Sequence, residues 1–157
     1  MHVESLPDAL VVVSESVADT DRLGRAFASA IHPGAVIALV GPLGAGKTRL
    51  ARGIAEALGA DPAAIASPTF VLIHEYEARL PIYHIDAYRL RTAEEFDALG
   101  ADEYLSGGGV CLIEWADRVA DRLPPWTWWI EAETRDDSRV YTLRLDDRGR
   151  NLVSEAL

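Results

Sequence analysis

A single cysteine, Cys111, stands in the 157-residue chain, so neither an intrachain disulfide nor a cysteine-based zinc site is available. Glutamine is absent altogether, and asparagine occurs once, at Asn151. Of the 15 basic residues only Lys47 is a lysine; the others are arginines. Long apolar runs are missing as well. The longest aliphatic stretch, Ala35 to Val40, has six residues, far below the ~20 that a membrane helix needs. The opening residues, Met1-His2-Val3-Glu4-Ser5, have no basic flank leading into an apolar stretch, so no signal peptide is expected and the cytoplasm is the expected location. Positive charge is scarce: 25 acidic residues leave a net charge of −10. Such a surface lacks the electrostatic footprint of a protein that grips phosphate backbones. Any contact with nucleic acid is therefore expected to run through a partner.

What is present supports one folded unit over residues 1–157, since 49% of the residues are hydrophobic and no repeat or low-complexity linker appears. Ala9 to Val13 reads as an opening strand. A helix follows, capped by Asp19 or Thr20 and presenting Leu23, Phe27, Ala30 and Ile31, until His32-Pro33-Gly34 stops it. Ala35 to Val40 is apolar on both faces, as a central parallel strand would be. Thr48 to Leu58 has helical spacing, with Leu50, Ile54 and Leu58 in one stripe and Gly59 as its stop. Phe70 to Tyr76 and Ile82 to Asp86 read as a hairpin, and Thr92 to Glu95 as a capping box opening a short helix that Gly100 ends. Val110 to Ile113 is another buried strand, followed by a helical stretch from Ala116 to Leu123. Trp126 to Glu133 and Val140 to Leu145 close the chain as strands, with a turn at Arg135-Asp136-Asp137. Alternating strands and helices predict an α/β fold of the P-loop NTPase type. Its sheet is expected to be mostly parallel and flanked by helices, with a hairpin inserted between the Walker A and Walker B strands.

Gly41-Pro42-Leu43-Gly44-Ala45-Gly46-Lys47-Thr48 fits G-x-x-x-x-G-K-[ST] without mismatch. Glycines let the backbone wrap closely and aim successive N–H groups at phosphate oxygens. The single lysine brings a point charge to the β and γ phosphates, the Thr48 hydroxyl suits Mg²⁺, and the helix start is favourable for anions. A buried strand before the motif and a helix after it are the setting this motif requires. Guanine readers use an Asn-Lys-x-Asp element, which a chain with one lysine and a lone C-terminal asparagine cannot hold. ATP is the expected nucleotide.

A phosphate loop needs an acid for Mg²⁺ at the end of a neighbouring buried strand, and Val110-Cys-Leu-Ile-Glu114 ends in one. Without glutamine, a carboxylate must orient water for hydrolysis, and Asp86 and Glu114 are the candidates. Ser67-Pro68-Thr69-Phe70 reads as a loop feeding a strand, with Thr69 placed to sense the γ-phosphate. His74 and His84 read as surface or half-buried strand residues rather than metal ligands. Trp126, Trp128 and Trp129 read as sheet packing.

Taken together, Gly41 to Thr48, Ser67 to Phe70, His84-Ile-Asp-Ala-Tyr-Arg-Leu90 and Ile113-Glu-Trp115 resemble the TsaE (YjeE) family over about residues 10–145. The resemblance implies a small ATPase of bacterial tRNA threonylcarbamoyladenosine synthesis, slow alone and stimulated by the TsaB–TsaD pair. The acidic charge adds the expectation that such a protein touches tRNA only indirectly, and no membrane contact is expected. Carried across, Lys47, Asp86 and Glu114 are catalytic, and Thr48, Glu114 and Asp86 serve the metal. Nucleotide falls to Gly44, Ala45, Gly46, Lys47, Thr48, Arg49, Thr69 and Trp115, with Arg118 and Arg139 as looser candidates. ATP or ADP and Mg²⁺ are the implied cofactors. Two rivals use the same residues: a small-molecule kinase, for which no long arginine-rich lid is evident, and an ATP-loaded switch whose hydrolysis is incidental.

Overall fold

The computed structural model describes residues 1–65 and 72–157. The Ser67 to Phe70 segment, and with it the switch role expected of Thr69, lies outside the described residues. In chain order the elements are β1 (His2–Ser5), β2 (Leu10–Ser14), α1 (Val17–Ala30), β3 (Val36–Val40), α2 (Lys47–Ala57) and α3 (Pro62–Ile65). Then come β4 (Ile73–Tyr76), β5 (Ile82–Asp86), a 3-10 turn (Ala87–Arg89), α4 (Ala93–Ala98) and α5 (Ala101–Leu105). The chain ends with β6 (Val110–Glu114), a second 3-10 segment (Ala116–Arg122), β7 (Trp128–Arg135), β8 (Ser138–Arg144) and α6 (Asp147–Ala156).

Among the described residues eight strands join one sheet in the order β1-β2-β8-β7-β3-β6-β5-β4. The expectation of a mostly parallel sheet needs correction. Among the described residues the central four strands, β7-β3-β6-β5, run parallel, while the pairings on both flanks are antiparallel. The reason is connection length. Asp136 and Asp137 alone link β7 to β8, with Arg135 opposite Ser138 and Asp136 at φ 52°, and a two-residue link can join only antiparallel neighbours. β4 and β5 are likewise an antiparallel pair, lying between β3 and β6 in sequence.

The sheet is covered on both faces. One face carries Leu10, Ile37, Leu39, Leu112, Ile130 and Tyr141 against Leu23 and Phe27 of α1 and Leu50 and Ile54 of α2. The other carries Val36, Ala38, Ile85 and Ile113 against Phe96, Leu105 and Val119. Strands buried on both faces read as unbroken apolar runs, which is why β3 and β6 stand out in the sequence. Where α1 crosses α2, Gly24 meets Gly53 back to back: a Cβ built on Gly24 would lie 2.6 Å from the Gly53 carbonyl carbon.

Capping differs from expectation in two places. The cap of α1 is Ser16, whose hydroxyl accepts from the Asp19 N–H at 3.1 Å. Asp19 instead sits in the first turn, where a negative charge suits the helix dipole. Thr92 does cap α4 through the Glu95 N–H, yet Glu95 returns its carboxylate to the Arg91 N–H rather than to Thr92. Trp128 and Trp129 pack as expected, but Trp126 is half exposed at the entry to β7, bonding Gly34 O. α6, unforeseen in the sequence, is locked on by Asp146, which accepts from the Gly149 N–H at 2.7 Å and from Trp128 Nε1 at 2.9 Å.

That cap is pH-sensitive. The backbone bond from Gly149 and the Trp128 indole outweigh desolvation and lower the Asp146 pKa below 3.8. A depressed carboxyl stabilises the fold above its unfolded pKa, and that contribution is lost as pH falls through the folded value. Asp146→Ala is expected to cost about 1 kcal/mol at pH 7. The gap to the parent should narrow below about pH 4; urea unfolding at pH 7 and pH 3 measures both.

Candidate functional site

The carboxyl ends of β3, β6 and β5 lie side by side because these strands are parallel, with Leu39 opposite Glu114 and Asp86 opposite Glu114. In open α/β sheets the crevice beyond such ends is where ligands bind. The glycine-rich loop 41–46 leaves β3 there and turns straight into α2. Its backbone needs glycine: φ is 137° at Gly41, 79° at Gly44 and 99° at Gly46. A Cβ on Gly46 would strike Tyr141 Oη, whereas one on Gly44 would meet nothing within 4 Å. Gly44 thus leaves its side of the loop open to a ligand, while Gly46 is clamped by β8. Ala45 is buried beneath the loop, its N–H bonded to Pro42 O at 3.2 Å.

Lys47 is only 4% exposed. Its ammonium donates to Gly41 O at 2.6 Å and Pro42 O at 2.8 Å, and lies 4.0 Å from the centre of the Trp115 ring. Burial lowers the Lys47 pKa, against the opposing pull of Glu114, Asp117 and Asp86. Trp115 takes a left-handed conformation, φ 58°, immediately after β6. The chain therefore turns sharply enough to bring the indole beneath the lysine. The expected Glu-Trp pair is thereby split into two tasks, a carboxylate for Thr48 and a π face for Lys47.

Glu114 is 6% exposed. One carboxylate oxygen accepts from the Thr48 hydroxyl at 2.5 Å, and the other lies 2.7 Å from His84 Nε2. Burial pushes its pKa up, but the bond and charge of His84, the Thr48 hydroxyl and the Lys47 ammonium together hold it below the usual value. Glu114 is therefore a carboxylate at neutral pH. Asp86 is more open. It caps the 3-10 turn by accepting from the Tyr88 N–H at 3.1 Å, with Arg89 3.9 Å away.

Two cavities meet at Leu43, Thr48, Glu114 and Trp115. The first, about 630 Å³, runs along the loop from Gly44 and Gly46 to Ser14, Glu15, Ser16 and Val17, with Arg139 and Tyr141 on the β8 side. The second, about 460 Å³, holds Asp86, Tyr88 and Arg89 together with His74, Tyr76 and His84. Lys47, Thr48, Glu114 and Trp115 are thus brought together, and Asp86 joins them from the adjoining cavity. Arg49 and Arg139 line the first cavity, although Arg49 is ion-paired to Asp21. Arg118 does not line either cavity. Its Nη1 donates to Tyr88 O and Leu90 O, at 3.1 and 3.3 Å, and its guanidinium lies 4.9 Å from the centre of the Tyr88 ring.

Three features escaped sequence reasoning. His84 holds Glu114, and its spacing two residues before Asp86 on one strand was the available signal. Tyr141 seats the loop through Gly46 O at 3.4 Å, a contact between distant strands with no local signature. Ser14 and Thr20 bond each other at 2.8 Å on the cavity wall. The residues also fit a magnesium ion. Thr48 and Glu114 offer oxygen, and among the described residues no group of three or more His, Cys, Asp or Glu could hold a metal alone. Magnesium takes few protein ligands and completes its shell with phosphate and water.

Fold and site define a mixed α/β protein whose adjacent central strands β3 and β6 deliver a glycine-rich loop, a buried lysine and a threonine–glutamate pair to one crevice. The sequence profile of threonylcarbamoyl adenosine biosynthesis protein TsaE matches residues 14–141. A tRNA threonylcarbamoyladenosine biosynthesis protein TsaE from Treponema pallidum is 46% identical over 115 residues, covering 73% of this chain and 84% of that relative. Another, from Haemophilus influenzae, is 34% identical over 140 residues, covering 85% and 88%. The crystal structure of YdiB from Bacillus subtilis superposes with a TM-score of 0.76 at 34% identity, over 99% of this chain and 96% of that one. The chain belongs to the TsaE family. Among the described residues no helix is long and apolar enough to cross a membrane.

Proposed function

We propose that this protein is a single-domain, cytoplasmic P-loop NTPase that binds and hydrolyses ATP with Mg²⁺. Its partner is the TsaB–TsaD pair, in threonylcarbamoylation of adenosine beside the tRNA anticodon. The observation that carries the reading is the joining of Lys47, Thr48 and Glu114 on one cavity beside a loop with positive φ at Gly41, Gly44 and Gly46, a backbone form suited to phosphate. A cavity of about 630 Å³ is ample for a nucleotide.

In this reading Lys47 releases the Gly41 and Pro42 carbonyls and turns its ammonium to the β and γ phosphates. Thr48 and Glu114 would hold the magnesium ion, which when bound offsets phosphate charge. The Ser14 to Val17 wall and Thr20 enclose the base. Arg139 reaches the phosphates from β8, and Trp115 keeps water away from the lysine. Asp86, one strand from Glu114 and open to the second cavity, orients the attacking water and takes its proton. The inserted β4–β5 hairpin thus carries the residue that acts on water. A net charge of −10 suits a protein that engages the tRNA-modifying machinery through protein contacts. Of the four arginines Arg22, Arg25, Arg49 and Arg52, which would otherwise offer positive charge to RNA, Arg49 and Arg52 are paired with Asp21 and Glu56.

The test is ATP hydrolysis by the pure protein, with and without TsaB and TsaD, beside Asp86→Ala. Stimulation by the pair is expected in the parent. In Asp86→Ala, hydrolysis should fall about 100-fold or more, with ATP affinity kept within about threefold. Tight Mg·ATP binding without stimulation by an active TsaB–TsaD pair would overturn the reading.

A further inference from the structure

The second oxygen of Glu114 has a use that the hydrolysis reading does not supply. A line of polar atoms crosses three adjacent strands to reach the phosphate loop. Tyr76 on β4 sets its hydroxyl 3.4 Å from His84 Nδ1, His84 on β5 sets Nε2 2.7 Å from Glu114 Oε2, and Glu114 on β6 takes the Thr48 hydroxyl at 2.5 Å. The sheet makes this possible. His74 lies directly opposite His84 and Tyr76 opposite Ile82, so Tyr76 is the diagonal neighbour of His84 on the same face. Both rings flank the imidazole, with centroids 6.3 and 6.1 Å away. The His84 and Glu114 side chains are only 12% and 8% exposed.

An ionised carboxylate only accepts, so His84 Nε2 must donate to it, leaving Nδ1 toward the Tyr76 hydroxyl. The consequence is geometric. A glutamate side chain has three rotatable bonds, and without its second anchor the Glu114 carboxylate would swing about the Thr48 contact. We infer that His84, braced by Tyr76, is a positioning residue that fixes the orientation of the Glu114 carboxylate beside Thr48 and thereby sets the affinity of the nucleotide-bound site for Mg²⁺. Partners of metal-binding side chains carry this kind of effect, typically 10- to 100-fold in metal affinity. The inference rests on the Mg²⁺-dependent nucleotide binding proposed above.

The experiment reads binding of ribose-labelled fluorescent ADP by the full chain as Mg²⁺ is titrated, and again in EDTA. For His84→Ala the Mg²⁺ midpoint is expected to rise about 10- to 100-fold, with affinity in EDTA unchanged. A merely structural role would weaken binding in both conditions and leave the midpoint alone. His84→Gln, whose amide nitrogen reaches where Nε2 stands, should restore the midpoint to within about threefold, while the shorter His84→Asn should not. This pair decides the matter even where the alanine variant folds poorly. Equal midpoints for the parent and His84→Ala, or equal shifts for Gln and Asn, would overturn the positioning role. A parent whose binding ignores Mg²⁺ would instead overturn the function reading on which the inference rests.

Discussion

Lys47→Ala is expected to weaken Mg·ATP binding by about two to three orders of magnitude and to abolish hydrolysis, while leaving the fold intact. The lysine is buried and desolvated, so its charge is poorly screened by water. A charge-assisted hydrogen bond contributes about 1.5–3 kcal/mol, and losing two to phosphate at the lower end of that range, about 3–4 kcal/mol, gives that size of effect. No other basic side chain among those that line the cavity stands on the loop itself, since Arg49 is held by Asp21 and Arg139 lies on β8. Structural cost should be small, because Gly41 and Pro42 line a separate surface pocket, where water can replace the ammonium at their carbonyls. Lys47→Arg should fail similarly, since a planar guanidinium does not fit a pocket closed by two carbonyls and an indole. Calorimetric titration with Mg·ATP and thermal melts of both variants check this. Retained binding in the alanine variant would exclude the lysine as the phosphate contact.

Gly24→Ala is expected to destabilise the protein by roughly 2–4 kcal/mol, although alanine is the better helix former by up to about 1 kcal/mol. The new methyl would lie 2.6 Å from the Gly53 carbonyl carbon and 2.9 Å from both Gly53 O and Ile54 N. These are backbone atoms of α2, which cannot rotate away, so α1 and α2 must part. Parting them loosens Leu23 and Phe27 from Leu50 and Ile54 in the core. For a domain of this size the melting temperature should drop about 5–12 °C. Because α2 begins at Lys47, the same shift should weaken nucleotide binding. An unchanged or raised melting temperature would mean that the helices separate at no cost.

Much of the site was legible because its signals are local. A glycine–lysine–threonine motif after an apolar strand announces a turn that only left-handed residues allow. The loop accordingly carries positive φ at Gly41, Gly44 and Gly46. An apolar run ending in Glu114 marks a buried strand with a carboxylate at its end, and such a strand must lie centrally. What failed to show depends on contacts between distant segments. Arg118, a looser candidate for nucleotide in the sequence, donates one guanidinium nitrogen to the Tyr88 and Leu90 carbonyls, contacts between segments about thirty residues apart. His84 looked like an ordinary strand residue until strand pairing set it against Glu114. The parallel character was overestimated for the same reason, since alternation of strands and helices does not say which strands pair.

The sequence alone thus determined the α/β class, the phosphate-type loop, its lysine and threonine, the acid at the end of β6 and the resemblance to the TsaE family. Each is written in short-range spacing, backbone preference or a run of residue types, which need no knowledge of the rest of the chain. Tertiary structure alone decided the antiparallel flanks, the close crossing at Gly24 and Gly53, and the seating of the loop on Tyr141. It also decided the line from Tyr76 through His84 to Glu114. Those features arise where residues far apart in sequence compete for the same buried space and hydrogen-bonding groups, and only the packed fold determines the winner.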